Sequence, residues 1–139
     1  MKKASWIILF VVGVAILVVS LISARVAYGG DFLVGPARVA ALDGLVPGVG
    51  PALQGARATA AAFGAAYGVL WLAVVLGPYR RGEAWAWWGL LAATVVLAAI
   101  ILLRVPLLGL QAGVATALVP LVLVLLGLLL DLGRLRKAQ

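Results

Sequence analysis

The stretch "PYRRGEAWAWWGLLAATVVLAAIILL", residues 78–103, decides the fold, because a short polar break is followed by an uninterrupted apolar run. The run from about 84 to 103 is about 20 residues long, and a helix of that length extends about 30 Å. The hydrocarbon core of a bilayer has that thickness. The stretch therefore predicts a transmembrane helix whose first turns carry tryptophans.

Three further apolar runs predict helices over about 5–24, 56–77 and 108–130. The chain has 139 residues, of which 66% are hydrophobic and 11% charged, and its mean hydropathy is +1.24. A soluble domain is about 45–50% apolar, so lipid must be the solvent for much of this surface. The predicted fold is an all-α integral membrane protein. It is a four-transmembrane-helix bundle forming a single domain over 1–139, with a long, partly helical outer connection between its first two helices.

The basic residues lie at the edges of the apolar runs and predict the orientation. With four spans, the N-terminus, the 78–83 loop and the C-terminus share one side. That side holds Lys2, Lys3, Arg80, Arg81, Arg134, Arg136 and Lys137, and the other holds Arg25, Arg38, Arg57 and Arg104. By the positive-inside rule, both termini of this multi-pass protein of the inner (cytoplasmic) membrane face the cytoplasm.

A signal peptide is the alternative for the first run. Since its apolar stretch exceeds an h-region of about 7–15 residues, we expect an uncleaved helix.

The aromatic residues around the polar break predict a belt at the cytoplasmic interface. Its expected members are Trp6, Tyr79, Trp85, Trp87 and Trp88. Arg80 and Arg81 act in this interpretation as an orientation signal. Glu83 opens the third helix, where a carboxylate meets the positive end of the helix dipole. A ligand site in the same stretch is the alternative.

The pattern Arg80-Arg81-Gly82-Glu83 followed by Trp85-Ala86-Trp87 resembles the loop between helices two and three of small, uncharacterised bacterial four-helix membrane proteins that are loosely DoxX-like. The resemblance covers the architecture and roughly residues 64–90. It implies an accessory role, such as a small subunit of a membrane oxidoreductase. This chain departs from the DoxX-type pattern because its predicted helices contain no internal Lys or Glu, so no functional residue is carried over.

Small residues recur every four positions in two predicted helices. The stripes are Ala56, Ala60, Gly64 and Gly68 in the second helix, and Gly109, Gly113 and Ala117 in the fourth. In lipid, such stripes let helix backbones approach closely. They predict helix packing, either within a single bundle or against another protein.

The connection over 25–55 is rich in glycine and proline yet apolar, so we expect it to lie on or dip into the outer interface. Pro36 and Gly44 predict a short helix from about Pro36 to Asp43. The segment "GLVPGVGP" at 44–51 is interpreted as turns.

Three arginines, Arg25, Arg57 and Arg104, stand at predicted helix ends on the outer side. Guanidinium groups at one depth favour carboxylate or phosphate partners. We expect at least one to pair with Asp31 or Asp43, or with an anion such as a lipid phosphate, holding the connection down as a lid. The alternatives are snorkelling onto lipid headgroups, a structural Arg–Asp lock and an anionic ligand site.

The composition also limits the function. The chain contains no cysteine and no histidine, which removes disulfides, zinc or haem ligation by these residues, and nucleophile pairs that need them. Basic residues at helix edges, without a basic stripe, argue against nucleic-acid binding. We predict no catalytic, cofactor-binding or metal-binding residue and no cofactor. The expected partners are membrane lipids and, as candidates, other integral membrane subunits.

The favoured function is that of a non-enzymatic small integral membrane protein, either an accessory subunit of a membrane complex or a lipid-associated protein. The alternative is a binding module or carrier for an apolar small molecule such as a quinone or a lipid. A membrane enzyme is the least favoured interpretation, because the predicted helices contain no ionisable residue at depth.

Overall fold

A computed structural model of the chain describes residues 2–108 and 114–131. The predicted packing glycines Gly109 and Gly113 lie outside the described residues. The elements in chain order are α1 (Lys2–Gly29), β1 (Leu33–Val34), β2 (Ala37–Arg38), α2 (Val39–Leu45), α3 (Val49–Val74), a π-helical turn (Val75–Tyr79), α4 (Ala84–Leu102), α5 (Arg104–Leu108) and α6 (Val114–Leu129). The predicted all-α class is confirmed, with one small hairpin added.

Three helical segments of the described residues are long and apolar enough to cross a membrane. They are Ser5–Gly29, Val49–Tyr79 and Ala84–Leu107. The described part of the last helix, α6, has 16 residues, which is shorter than the roughly 20 residues that a bilayer requires. The chain thus has the apolar spans of a membrane protein, while a fourth span over 108–130 stays a prediction.

Helix α3 begins at Val49, about seven residues before the predicted start. The Asp43 carboxylate explains the early start, because its Oδ1 accepts hydrogen bonds from the backbone N–H groups of Gly48 and Gly50, each at 2.9 Å. The first N–H groups of a helix have no partner inside it, so a nearby carboxylate stabilises this end. Pro51 fits the first turn of α3, because the backbone N–H that proline lacks would have no partner inside the helix at that position. The turns expected at 44–51 are therefore found only at 46–48, because α2 extends to Leu45 and α3 begins at Val49.

The π-helical turn over Val75–Tyr79 contains Pro78. In a regular α-helix, a proline ring clashes with the carbonyl four residues earlier. A wider turn relieves that clash, so the helical segment continues past the predicted end at 77 and reaches Arg81. The reversal itself occupies only Gly82, which has a positive φ of 94°, and Glu83, the N-cap residue of α4.

The connection forms a hairpin where a helix start was expected. Strands β1 and β2 pair antiparallel, with Leu33 opposite Arg38 and Val34 opposite Ala37. Gly35 and Pro36 form the two-residue turn, and Gly35 has a φ of 60°, which suits the first central position of a type II′ turn. The prediction that Pro36 begins a helix was wrong, because Gly35 before it makes a tight reversal. Helix α2 begins three residues later, at Val39.

The described chain divides into two compact units. Of the described residues, unit 1 comprises 2–13, 71–108 and 114–131, and unit 2 comprises Val14–Leu70. In unit 1, α4 packs mainly against α6, around large buried side chains that include Leu9, Trp71, Trp87 and Leu128. The buried side chains of unit 2 are smaller, among them Ala27, Ala58 and Ala61.

Candidate functional site

A cluster of polar groups joins four helix ends in unit 1, and we call it the helix-end cluster. It consists of Ser5, Tyr79, Trp87 and the backbone carbonyls of Gly127 and Leu128. The Ser5 Oγ lies 2.5 Å from the Tyr79 hydroxyl and donates to the Gly127 carbonyl at 2.7 Å. The Trp87 Nε1–H donates to the Leu128 carbonyl at 3.0 Å. The start of α1, the π turn, the start of α4 and the end of α6 therefore meet at one place.

The end of α6 explains why these side chains gather there. The last carbonyls of a helix have no N–H partner inside it, and burying them without a partner costs free energy. Here the Asp131 N–H turns back to the Leu128 carbonyl at 3.1 Å. Side chains from two other helices, Ser5 and Trp87, bind the last carbonyls of α6. The cluster is a cap made by tertiary contacts.

The direction of the hydrogen bonds in this cluster follows from the groups themselves. The Gly127 carbonyl can only accept, so the single hydroxyl hydrogen of Ser5 points to it. The Tyr79 hydroxyl must then donate to the Ser5 Oγ. Ser5 and Tyr79 are both fully buried, and a directed chain of this kind fixes the arrangement of helix ends more firmly than apolar contacts alone.

Burial separates the five predicted members of the aromatic belt. Trp85 and Trp88 are 58% and 57% exposed, as expected for rings that face headgroups. Trp6 is half-buried, and the Arg80 guanidinium lies 4.8 Å from the centre of its ring. Tyr79 and Trp87, in contrast, are buried within unit 1, where their polar atoms serve the helix-end cluster. The depth of the belt in a bilayer stays a prediction.

The turn into α4 holds an exposed ion pair. Arg81 Nε donates to Glu83 Oε1 at 2.9 Å, and the Trp85 Nε1–H donates to Glu83 Oε2 at 2.6 Å. The hydrogen bond from Arg81, followed by that from Trp85, lowers the pKa of Glu83 below its usual value. Glu83 organises the turn with its side chain and does not cap α4 with it.

Two predicted packing glycines lie against α1 in unit 2. A Cβ at Gly68 would stand 3.1 Å from the Leu17 backbone nitrogen, and one at Gly64 would overlap the Ser20 Oγ. Ala60, however, is exposed, and Ala61 is the buried residue at this level.

Helix geometry explains why Ala60 is exposed although Gly64 and Gly68 pack against α1. Four residues overshoot a helical turn by about 40°, so a four-residue repeat drifts around the helix. Ala60 is therefore not part of the packed face within the chain, and its packing against another protein stays a prediction.

Sequence reasoning missed Gly13, which permits a close contact of α1 with Trp71 and Leu72 in unit 1. A Cβ there would stand 2.6 Å from the Trp71 Cδ1 atom and 2.8 Å from the Leu72 Cδ2 atom. This space lets the Trp71 indole reach the Leu9 carbonyl, to which its Nε1–H donates at 2.9 Å. A single glycine in an apolar helix is the only sequence signal for such a contact.

The two carboxylates of the connection act locally. Asp31 Oδ2 accepts from Arg38 Nη1 at 3.2 Å, and its Oδ1 accepts from the Ala40 backbone N–H at 2.9 Å. The Ala40 N–H, together with Arg38, lowers the pKa of Asp31. Asp43 binds the start of α3. Both carboxylates are thus directed at free N–H groups of helix starts close by in the chain.

Among the described side chains, Asp31 and Asp43 pair with neither Arg25 nor Arg57, and the alternative pairing with an anion such as a lipid phosphate stays a prediction. Arg25 is exposed, and the side chain of Arg104 lies outside the description. Arg57 instead donates from Nε to the Ser23 Oγ at 3.3 Å, and its guanidinium lies 4.4 Å from the centre of the Phe32 ring. Arg57 fastens the connection by a cation–π contact rather than by an ion pair.

Within residues 2–108 and 114–131, no three His, Cys, Asp or Glu side chains come together as metal ligands. The helix-end cluster and the carboxylates of Asp31, Asp43 and Glu83 bind helix ends and turns. Comparison of the chain with protein-family models, with curated proteins and with solved structures finds no match. The DoxX-like resemblance therefore stays a prediction.

Proposed function

We propose that this chain is a non-enzymatic integral membrane protein of the cytoplasmic membrane, a four-transmembrane-helix bundle that serves as a small subunit of a larger membrane complex. The observation that carries the proposal is the exposure of its long helices. In the most apolar windows of the three candidate spans, only 22%, 22% and 18% of the residues are buried within the chain. Apolar faces of that extent need lipid or other membrane helices around them.

The exposed side of α3 favours a protein neighbour in addition to lipid. Ala56 and Ala60 lie off the packed face and are exposed, as are Gly55 and Thr59 beside them. Small side chains at an exposed helix face let another backbone approach closely, and packing of that kind drives association in lipid. Among the described contacts, none favours a second candidate function, since Asp31 and Asp43 bind backbone N–H groups at helix starts.

Photo-crosslinking tests the subunit proposal. Benzoylphenylalanine is introduced in native membranes at Phe63, which is 74% exposed, at Ala60, and at the fully buried control Val75. We expect adducts with another membrane protein from the two exposed positions and none from Val75. Adducts with lipid alone would reject a subunit role and leave a lipid-associated protein.

Cytoplasmic placement of both termini is part of the proposal. In support of it, the helix-end cluster brings the start of α1, the Arg80–Arg81 turn and the end of α6 to one place. The predicted excess of basic residues lies at the same ends. Reporter fusions at Gln139 and within the 30–48 segment should report opposite sides of the membrane, and a C-terminal fusion read outside the cytoplasm would reject the orientation.

A further inference from the structure

The connection between α1 and α3 exposes more apolar side chains than is usual for a loop surrounded by water. Tyr28 is 82% exposed, Leu33 63%, Leu45 79% and Val46 57%. These side chains lie in or beside a segment of ordered backbone, with a hairpin and a short helix, so their exposure does not come from an unstructured loop. Their surroundings must offer an apolar medium.

The hairpin combines an apolar side chain with a cation on one face. Leu33 lies directly opposite Arg38, and cross-strand partners project to the same side of a sheet. The Arg38 side chain is 69% exposed, and its described contact, with Asp31, uses one nitrogen of a group with five N–H donors. A leucine beside a guanidinium matches the boundary between acyl chains and lipid phosphates.

The ends of the connection are held close to the helices that it joins. Besides the two contacts of Arg57, the Gln54 Nε2 donates to the Gly30 carbonyl at 3.4 Å. Helix α1 ends at Gly29, directly before the connection. One candidate span ends at Gly29 and the next begins at Val49, so both ends of the connection adjoin segments of membrane-spanning length.

We propose that this connection lies in the headgroup region of the adjacent lipid leaflet, with Leu33 and Leu45 inserted among the upper acyl chains and Arg38 bound to lipid phosphate. The inference rests on the membrane placement of the proposed function. Lipid is the occupant that the structure favours, because it already surrounds both helix ends from which the connection starts. Exposed Arg25 and Arg38 complement its anionic groups.

Site-directed spin labelling tests this placement, and the chain suits the method because it has no native cysteine. Single nitroxides are attached at Leu33→Cys and Leu45→Cys in vesicles of phosphatidylcholine with a minor fraction of phosphatidylglycerol. The matched control is Ala40→Cys, which is exposed on α2 but lies about 140° around that helix from Leu45. A second control, Phe63→Cys, reports the candidate span itself.

We expect the ratio of oxygen to nickel-chelate accessibility at 33 and 45 to exceed that at 40 severalfold, with the highest ratio at 63. Nickel accessibility at 33 and 45 equal to that at 40, with an oxygen-rich label at 63, overturns the inference and leaves the proposed function standing. Shielding of 33 and 45 from both reagents also overturns it, because a protein then covers the surface. Nickel access at 63 rejects the span, and both proposals fail.

Discussion

Replacing Gly68 by alanine should weaken the packing of α3 on α1 in unit 2, whereas the same change at Gly55 should not. A Cβ at Gly68 would lie 3.1 Å from the backbone nitrogen of Leu17, and 3.2 Å from each of its Cα and Cβ atoms. Ordinary contacts begin at 3.4 Å, and two of these three atoms belong to a helix backbone that cannot rotate away. A Cβ at Gly55 meets nothing within 4 Å.

The comparison of the two variants isolates the contact. Glycine costs a helix about 1 kcal/mol relative to alanine, so both variants gain that amount and the gain cancels in the difference. Overpacking of a tight interface costs about 1–3 kcal/mol, because the neighbours must separate and lose dispersion contacts. We therefore expect Gly68→Ala to be less stable than Gly55→Ala by about 1–3 kcal/mol.

Unfolding by sodium dodecyl sulfate in mixed micelles, followed by far-ultraviolet circular dichroism, measures this difference. Gly55→Ala should be at least as stable as the wild type. Equal stability of the two alanine variants would refute the close approach of α3 to Leu17. A loss of stability in Gly55→Ala of the same size would mean that the effect arises from the helix and not from the contact.

Three further predictions concern the polar groups of unit 1. In a double-mutant cycle, Ser5→Ala and Tyr79→Phe should couple by about 0.5–1.5 kcal/mol in unfolding free energy, and additive losses would contradict the hydrogen bond. Trp87→Phe should cost about 0.5–1.5 kcal/mol, because the Leu128 carbonyl loses one of its two donors and keeps the Asp131 N–H, and a neutral result in the same unfolding assay would contradict that bond. The Glu83 pKa is lowered from 4.5, so its contribution to turn stability is present above pH 4.5 and is lost as the pH falls through the lower folded pKa. The indole N–H resonance of Trp85 should titrate below pH 4.5, and Arg81→Gln should raise that midpoint.

The sequence predicts the helices of this chain well, because apolar runs of membrane length leave few alternatives. It predicts their ends less well. The start of α3 depends on a hydrogen bond from Gly50 to Asp43, seven residues earlier, which no apolar pattern reveals. At Pro36, a rule for helix starts competes with the turn geometry of Gly35, and the turn wins because glycine adopts a positive φ at no steric cost.

In the candidate site, too, the sequence predicts residues that follow a periodic pattern but not residues whose role depends on a distant hydrogen-bond partner. The packing role of Gly68 was predicted because a periodic stripe of small residues in a membrane helix generally serves helix packing. Ser5 was not found, since a single hydroxyl in an apolar run gives no indication of the carbonyl that it binds. The interior roles of Tyr79 and Trp87 were also missed, because an aromatic residue near a helix end fits an interface and a core equally well.

The π turn makes the position of the buried side chains in this segment depend on the number of residues in the turn. Trp71, Val75 and Tyr79 are all buried although they recur every four residues, a spacing that drifts by about 40° per step in an α-helix. The wider turn absorbs part of that excess and keeps Tyr79 in phase with Val75. Deleting one residue from 75–79 would hardly alter the composition. It would nevertheless remove the residue that the wider turn accommodates, and the ring of Pro78, if retained, would face the carbonyl four residues earlier in a regular α-helix.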